Sequence, residues 1–237
     1  LAYLHEHRPE LAERTARSGI ALFPDDKDIL GNLTIALIHQ QKFDEALHFA
    51  TQRLELSREV HSLEELAAIH RSIADDGADR NLPLAVRHLK IALNLLFEAK
   101  DQNPRYSTAR LTLGRTLFDL KRYTDAANEL VDMLNNTSPH QSIKELAIAK
   151  IAECFDRRGE FKECLEFCDE YLKVFPDNLS LKRVRSQTLV DGYVIGNVQE
   201  GIRVVERSSL EFFEKIVQDP SLRTTSDLCY LARLYEW

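Results

Sequence analysis

Apolar side chains recur every three or four positions along most of the chain, which is the spacing of amphipathic helices. In residues 147–176, one apolar series ends at Phe155 and a second begins at Phe161. Between them, Gly159 can adopt the left-handed backbone conformation that ends many helices. Pro176 follows the second series and stops it. The pattern therefore predicts a helical hairpin.

The hairpin pattern recurs along the chain. Residues 30–56 and 110–139 each contain two apolar series, with turns predicted at Gln41-Lys42-Phe43 and Lys121-Arg122-Tyr123. Prolines stand at or near the end of the pattern, at Pro24, Pro104, Pro139, Pro176 and Pro220. A helical hairpin repeated about every 34 residues with a closing proline resembles the tetratricopeptide repeat (TPR). This resemblance implies an all-α fold, a right-handed α-solenoid of stacked antiparallel helix pairs.

The resemblance covers most of the chain as a single TPR solenoid, which we interpret as a fragment of a longer protein. The approximate repeats are residues 1–26 (partial), 27–60, 61–106 (irregular), 107–140, 145–178, 179–222 (irregular) and 223–237 (partial).

Three segments depart from the regular pattern. A polar loop is predicted from Asp75 to Asn81, ahead of an unusually long helix from Leu82 to Lys100. A turn is predicted at 196–198 in the second irregular repeat, and residues 140–144 look like a short insertion. Both irregular repeats are expected to have a lengthened second helix.

Composition narrows the class of partner. The chain of 237 residues is 44% hydrophobic, carries a net charge of -7 and contains no run of apolar residues long enough to span a membrane. The negative charge disfavours nucleic acid and anionic membranes as partners, so a protein or peptide is expected. The few cysteines form no disulfide-like pattern, which favours a cytoplasmic setting.

The sequence offers no catalytic, metal-binding or cofactor-binding pattern. His5 and His7 would lie on different sides of a helix, and no glycine-rich phosphate loop follows a strand. The cysteines lack a CxxC motif and a histidine at zinc-like spacing, so core packing is the favoured role of Cys154, Cys164, Cys168 and Cys229. We therefore expect no metal, no cofactor and no enzyme activity in this segment.

A partner-binding surface follows from the resemblance, because the first helix of each TPR lines the inner face of the solenoid. Helical geometry places positions i, i+4, i+7 and i+11 of such a helix on one face. The positions predicted in this way are Asp28, Asn32, Ile35 and His39; Thr108, Thr112, Arg115 and Asp119; Leu146, Lys150, Glu153 and Arg157; and Ser180, Val184, Gln187 and Asp191, with Arg183 at the edge. The candidate partner-binding residues among them are Asn32, His39, Thr112, Arg115, Asp119, Lys150, Glu153, Arg157, Arg183 and Gln187.

Two interpretations of this surface stay open. Arg115, Lys150, Arg157 and Arg183 would form a basic strip suited to an acidic peptide, because guanidinium groups bind carboxylates with two parallel hydrogen bonds. Alternatively, each is a solvated charge paired with Asp119, Glu153 or Asp191.

The resemblance also leaves two functions open. The favoured one is a non-catalytic scaffold that binds a peptide or partner protein in the concave groove. The alternative is the recognition arm of a larger enzyme such as a glycosyltransferase, a protein kinase or a phosphatase. The sequence does not indicate the oligomeric state.

Overall fold

Twelve helices make up the regular structure of the residues that the computed structural model describes, namely 8–77, 82–194 and 202–235. They are α1 (Pro9–Leu22), α2 (Lys27–His39), α3 (Phe43–Leu56), α4 (Val60–Gly77), α5 (Leu82–Gln102), α6 (Ser107–Asp119), α7 (Tyr123–Asn136), α8 (Gln141–Arg157), α9 (Phe161–Val174), α10 (Leu179–Val194), α11 (Ile202–Val217) and α12 (Thr225–Tyr235). The predicted long helix is α5, with 21 residues.

Two predicted irregularities are helical in the structure. Helix α4 continues through Asp75 and Asp76 to Gly77, so the predicted polar loop is wrong for these positions, and the rest of it lies outside the described residues. Helix α8 begins at Gln141, so most of the predicted insertion is its first turn. The Gln141 side chain donates a hydrogen bond to Glu145 one turn later at 2.9 Å, which supports this turn. The predicted turn at 196–198 lies outside the described residues.

The three predicted hairpin turns share one backbone geometry. Gln41, Lys121 and Gly159 have φ angles of 59°, 60° and 77°. In each turn the next residue donates its N–H to a carbonyl five positions earlier, for example Arg122 to Leu117 at 2.9 Å. This is the Schellman motif, which satisfies carbonyl groups left unpaired at the end of a helix.

These turns yield a test of backbone strain. Gly159→Ala should destabilise the protein by about 1 kcal/mol, because a side chain is disfavoured in the left-handed region. No atom lies within 4 Å of a Cβ built at Gly159, so steric contact would not add to this cost. Gln41→Gly should instead stabilise the protein, because it relieves the left-handed backbone at this turn. The gain should be only about 0.5 kcal/mol, since Gly also increases the entropy of the unfolded chain. Urea unfolding of both variants checks this, and equal signs would contradict it.

The chain divides into two compact units. The first is Leu1–Arg122 with Asn135–Ser138, and the second is Tyr123–Leu134 with Pro139–Trp237. In the first unit each helix from α1 to α6 packs against the next, and α4 also contacts α6. In the second, successive helices from α8 to α12 pack in the same way, and α8 also contacts α10. A single continuous solenoid stays a prediction.

Three of the four cysteines lie in the core of the second unit. Cys164 and Cys168 are fully buried in a cluster with Ile148, Ala152 and Leu181. Cys154 is also fully buried. Core packing is confirmed for these three residues, whereas Cys229 is exposed, so that prediction is wrong for it.

The helices of the described segments differ from membrane spans, since none of them is both long enough and apolar enough to cross a bilayer.

Candidate partner-binding surface

In the first unit, the predicted surface residues lie on α2 and α6. Asn32 and Thr112 are half-buried, while His39, Arg115 and Asp119 are exposed at the surface. The Thr112 hydroxyl donates to the carbonyl of Thr108 at 3.0 Å. These side chains are therefore accessible to different degrees, with His39, Arg115 and Asp119, in the second half of their helices, the most open.

Helix α4 contributes to the same surface, which the sequence analysis missed. Arg71 donates a hydrogen bond to Asp119 at 2.7 Å, and Thr112 lies 3.4 Å from Glu64. Glu64, Arg71 and Asp75 stand at the i, i+7 and i+11 positions used for the other first helices. The spacing could have identified them, but the repeat was set aside as irregular.

Burial changes the acidity of several groups on α4 and next to it. Burial raises the pKa of the Glu64 carboxyl. The hydrogen bonds that Tyr106 and Thr112 make to this carboxyl lower the pKa and partly offset the effect of burial. Burial also raises the pKa of Asp75 and, with help from nearby Glu64, that of Tyr106 to about 12. The Tyr106 hydroxyl lies 2.9 Å from His61 Nδ1. This part of the surface is thus a partly desolvated polar network.

In the second unit, α8 carries Lys150, Glu153 and Arg157. Lys150 donates to Glu153 at 2.5 Å, and both side chains are partly exposed. Arg157 is exposed. The sequence analysis missed Asp156, which accepts a hydrogen bond from Thr188 of α10 at 2.8 Å. Burial raises the pKa of Asp156, so this carboxyl is poorly solvated.

Helix α10 meets α12 through a second set of polar contacts. Asp191 accepts hydrogen bonds from Tyr230 and, at 3.0 Å, from Arg233. Gln187 donates to Ser226 at 3.4 Å. Tyr230 and Arg233 lie in the final partial repeat, for which no inner positions were predicted.

Two positions predicted on α10 make contacts within the protein. Val184 is 4% exposed and belongs to the hydrophobic core. Arg183 donates to Asp227 at 2.9 Å and to the Leu222 carbonyl at 2.7 Å, so its guanidinium joins α10 to the start of α12.

The residues of the predicted basic strip are divided between the two units. Arg115 belongs to the first unit, and the other three basic residues belong to the second. Of the carboxylates named as possible partners, Glu153 pairs with Lys150, Asp119 accepts a hydrogen bond from Arg71, and Asp191 accepts one from Arg233. Within the described ranges, no three His, Cys, Asp or Glu side chains are grouped so as to hold a metal ion.

Similarity to known proteins is found at the level of structure. No protein-family model matches the chain, and no curated protein matches it. A tetratricopeptide repeat protein from Parabacteroides merdae superposes with a TM-score of 0.65 at 16% identity, covering 99% of this chain and 95% of that one. The Cut9–Hcn1 hetero-tetramer of the APC/C has a TM-score of 0.72 at 10% identity, covering 98% of this chain and 40% of that one.

A third structure, the human IFIT1 dimer with m7Gppp-AAAA, has a TM-score of 0.62 at 17% identity and covers 99% of this chain and 54% of that one. At these identities the similarity concerns the fold, and it agrees with the helix pairs and hairpin turns described above. The protein is therefore an all-α solenoid with the fold of tetratricopeptide repeat proteins.

Proposed function

We propose that this chain is a non-catalytic interaction scaffold that binds a peptide or partner protein on the surface formed by the first helices of its repeats. The observation that carries the proposal is the contact between inner positions of consecutive first helices. In the first unit Arg71 of α4 reaches Asp119 of α6, and in the second Tyr230 and Arg233 of α12 reach Asp191 of α10. Such contacts make polar side chains from separate repeats into a continuous surface within each unit, which is how repeat proteins build extended binding faces.

Electrostatics supports a protein partner. The surface mixes charges of both signs, and the whole chain has a net charge of -7, which disfavours the phosphate backbone of a nucleic acid. The IFIT1 structure contains capped RNA, so the oligonucleotide m7Gppp-AAAA is a suitable negative comparison. The basic residues Arg115, Lys150 and Arg157 favour carboxylate-bearing segments of the partner.

Charge reversal on α8 tests the binding surface. Lys150→Glu with Arg157→Glu should weaken the binding of peptides selected from a random phage-displayed library by about tenfold or more, since each lost charge-assisted hydrogen bond costs about 1.5–3 kcal/mol. Fluorescence anisotropy with the selected peptides measures this. Far-UV circular dichroism should show unchanged helicity.

The matched control makes the same change in charge on the second helix of the repeat. Lys162→Glu with Lys173→Glu alters two exposed side chains of α9. This control should bind the peptides as the parent does. Equal weakening by both variants would mean that net charge, not the α8 surface, governs binding. Retained affinity in the α8 variant would contradict the proposed surface.

A further inference from the structure

An apolar cavity of about 640 Å³ opens in the first unit next to the inner positions Asp75 and Asp119. Its apolar wall comes from α4, α5 and the residue that follows α6, and consists of Ala74, Ala85, Val86, Leu89, Leu93 and Leu120. Three of these, Ala74, Ala85 and Leu89, are buried and pack as a small cluster, against which Leu120 rests. The size and the lining are those of a ligand pocket rather than of a packing defect.

At the cavity mouth, the acidic side chains have basic neighbours within the protein, whereas two lysines have no acidic partner among the described residues. On one side, Asp119 already accepts a hydrogen bond from Arg71, and Asp75 has Arg71 and Arg115 near it. On the other side stand Lys90 and Lys121, both exposed, which contact no carboxylate among the residues that the structure describes. The carboxylates are thus neutralised from within the protein, whereas the two ammonium groups are available to a ligand.

We propose that this cavity receives a large apolar side chain of a partner peptide, while carboxylates next to that side chain contact Lys90 and Lys121. The inference rests on the proposed function and names the partner's chemistry. An apolar group gains free energy by leaving water for the apolar wall, which supplies affinity. Opposite charges at the mouth supply selectivity, because they favour an acidic flank over a basic one.

The cavity adjoins the surface already described, which supports a single continuous ligand. Asp75 and Asp119 line the cavity and also stand at the i+11 positions of α4 and α6. A peptide lying on the first helices of this unit can therefore place one side chain in the cavity without leaving the surface.

The test uses a random linear peptide library displayed on phage and selected on the intact protein. Selected peptides should pair a large apolar residue with Asp or Glu within a few positions. Lys90→Glu with Lys121→Glu should weaken the binding of these peptides by about tenfold or more, as measured by anisotropy titrations. A peptide with its acidic residues changed to Lys should recover affinity for this variant. The control Lys162→Glu with Lys173→Glu makes the same charge change outside the cavity.

A second pair of variants separates a loss of peptide binding from a loss of folding. Lys121→Gly removes one ammonium group and relieves a left-handed backbone at the same time, so the variant should fold at least as well as the parent. Gln41→Gly makes the corresponding backbone change at a turn that does not line the cavity. Weaker peptide binding by Lys121→Gly alone supports the proposal, and equal binding by the two variants overturns it.

The remaining outcomes separate this inference from the proposed function. Enriched peptides that depend on Lys150 and Arg157 but not on Lys90 and Lys121 overturn the cavity proposal and leave the scaffold intact. Failure to enrich any peptide counts against the scaffold itself. Sedimentation measures whether the protein self-associates. Self-association that is present in the parent and absent in Lys90→Glu with Lys121→Glu would assign the cavity to a second copy of the chain and overturn the proposal of a peptide ligand.

Discussion

Asp227→Ala should destabilise the second unit by about 3 kcal/mol, because it removes the buried end of an ion pair and leaves the Arg183 guanidinium without its carboxylate. Asp227 is fully buried and accepts a hydrogen bond from Arg183 at 2.9 Å. It also accepts from the N–H and the hydroxyl of Thr224 at 2.7 and 2.8 Å, and its own N–H donates to that hydroxyl at 3.2 Å. This reciprocal arrangement is a capping box at the start of α12.

The measurement is urea unfolding combined with amide hydrogen exchange of Thr225–Tyr235. Exchange should accelerate first in α12, since the substitution removes one half of its capping box and one of its contacts with α10. Asp227→Asn keeps an acceptor for Thr224 and should lose less than the alanine variant.

An exposed ion pair between α9 and α10 supplies the control. Asp169 accepts from Arg185 at 2.6 Å, but its side chain is 52% exposed. Asp169→Ala should cost less than about 1 kcal/mol, as most solvent-exposed ion pairs do. If the two alanine variants were equally stable, Arg183 would be available to a partner after all, and its structural role would be refuted.

Acidification should weaken the α4–α5 hairpin through a pair of histidines. His70 Nδ1 of α4 lies 2.8 Å from His88 Nδ1 of α5, and His70 is 7% exposed. A hydrogen bond between two Nδ1 atoms needs one of them unprotonated, so the pair cannot accept a proton on both. Burial, followed by the neighbouring His88, lowers the pKa of His70 from 6.5 to about 4. Burial, followed by nearby Arg87, also lowers the pKa of His88.

The sign follows from proton linkage. The unfolded chain protonates His70 near its ordinary pKa of about 6.5, whereas the folded protein resists until about pH 4, so stability falls as the pH drops through this window. Below about pH 4 both states are protonated and the loss stops. A difference of this size corresponds to about 3 kcal/mol, and the half-exposed His88 beside it reduces the expected loss to about 2 kcal/mol.

A comparison with His70→Phe isolates this loss from other titrations. Phe has a similar planar ring and no titrating group, and the nitrogen of half-exposed His88 can turn to water. Urea unfolding at about pH 7 and about pH 4 should show that the parent loses about 2 kcal/mol more than the variant. Glu64, Glu65 and Asp75 have raised pKa values and act in the opposite direction, but they do so equally in both proteins. Parallel pH profiles would contradict a destabilising role of the His70 proton.

The sequence analysis located local features well and left the pairing of charges open. The turns at Gln41, Lys121 and Gly159 are where the apolar series breaks, because each depends on a few consecutive residues. The surface set omitted α4, although Arg71 and Asp75 obey the same spacing, because the loop after this helix made the repeat look irregular. Val184 was placed on the wrong face because a helix with neighbours on several sides, as α10 has, no longer shows one clean apolar stripe.

The sequence by itself determined an all-α fold of helix pairs, since helical periodicity, turn residues and the repeat length are local or regular properties of the chain. Tertiary structure decided which polar groups meet. Arg183 and Asp227 are 44 residues apart, and Arg71 and Asp119 are 48 apart, so their pairing depends on which helices stack and in what register. The apolar cavity beside Leu120 likewise exists only where α4, α5 and the residue after α6 come together, because its wall is assembled from separate repeats.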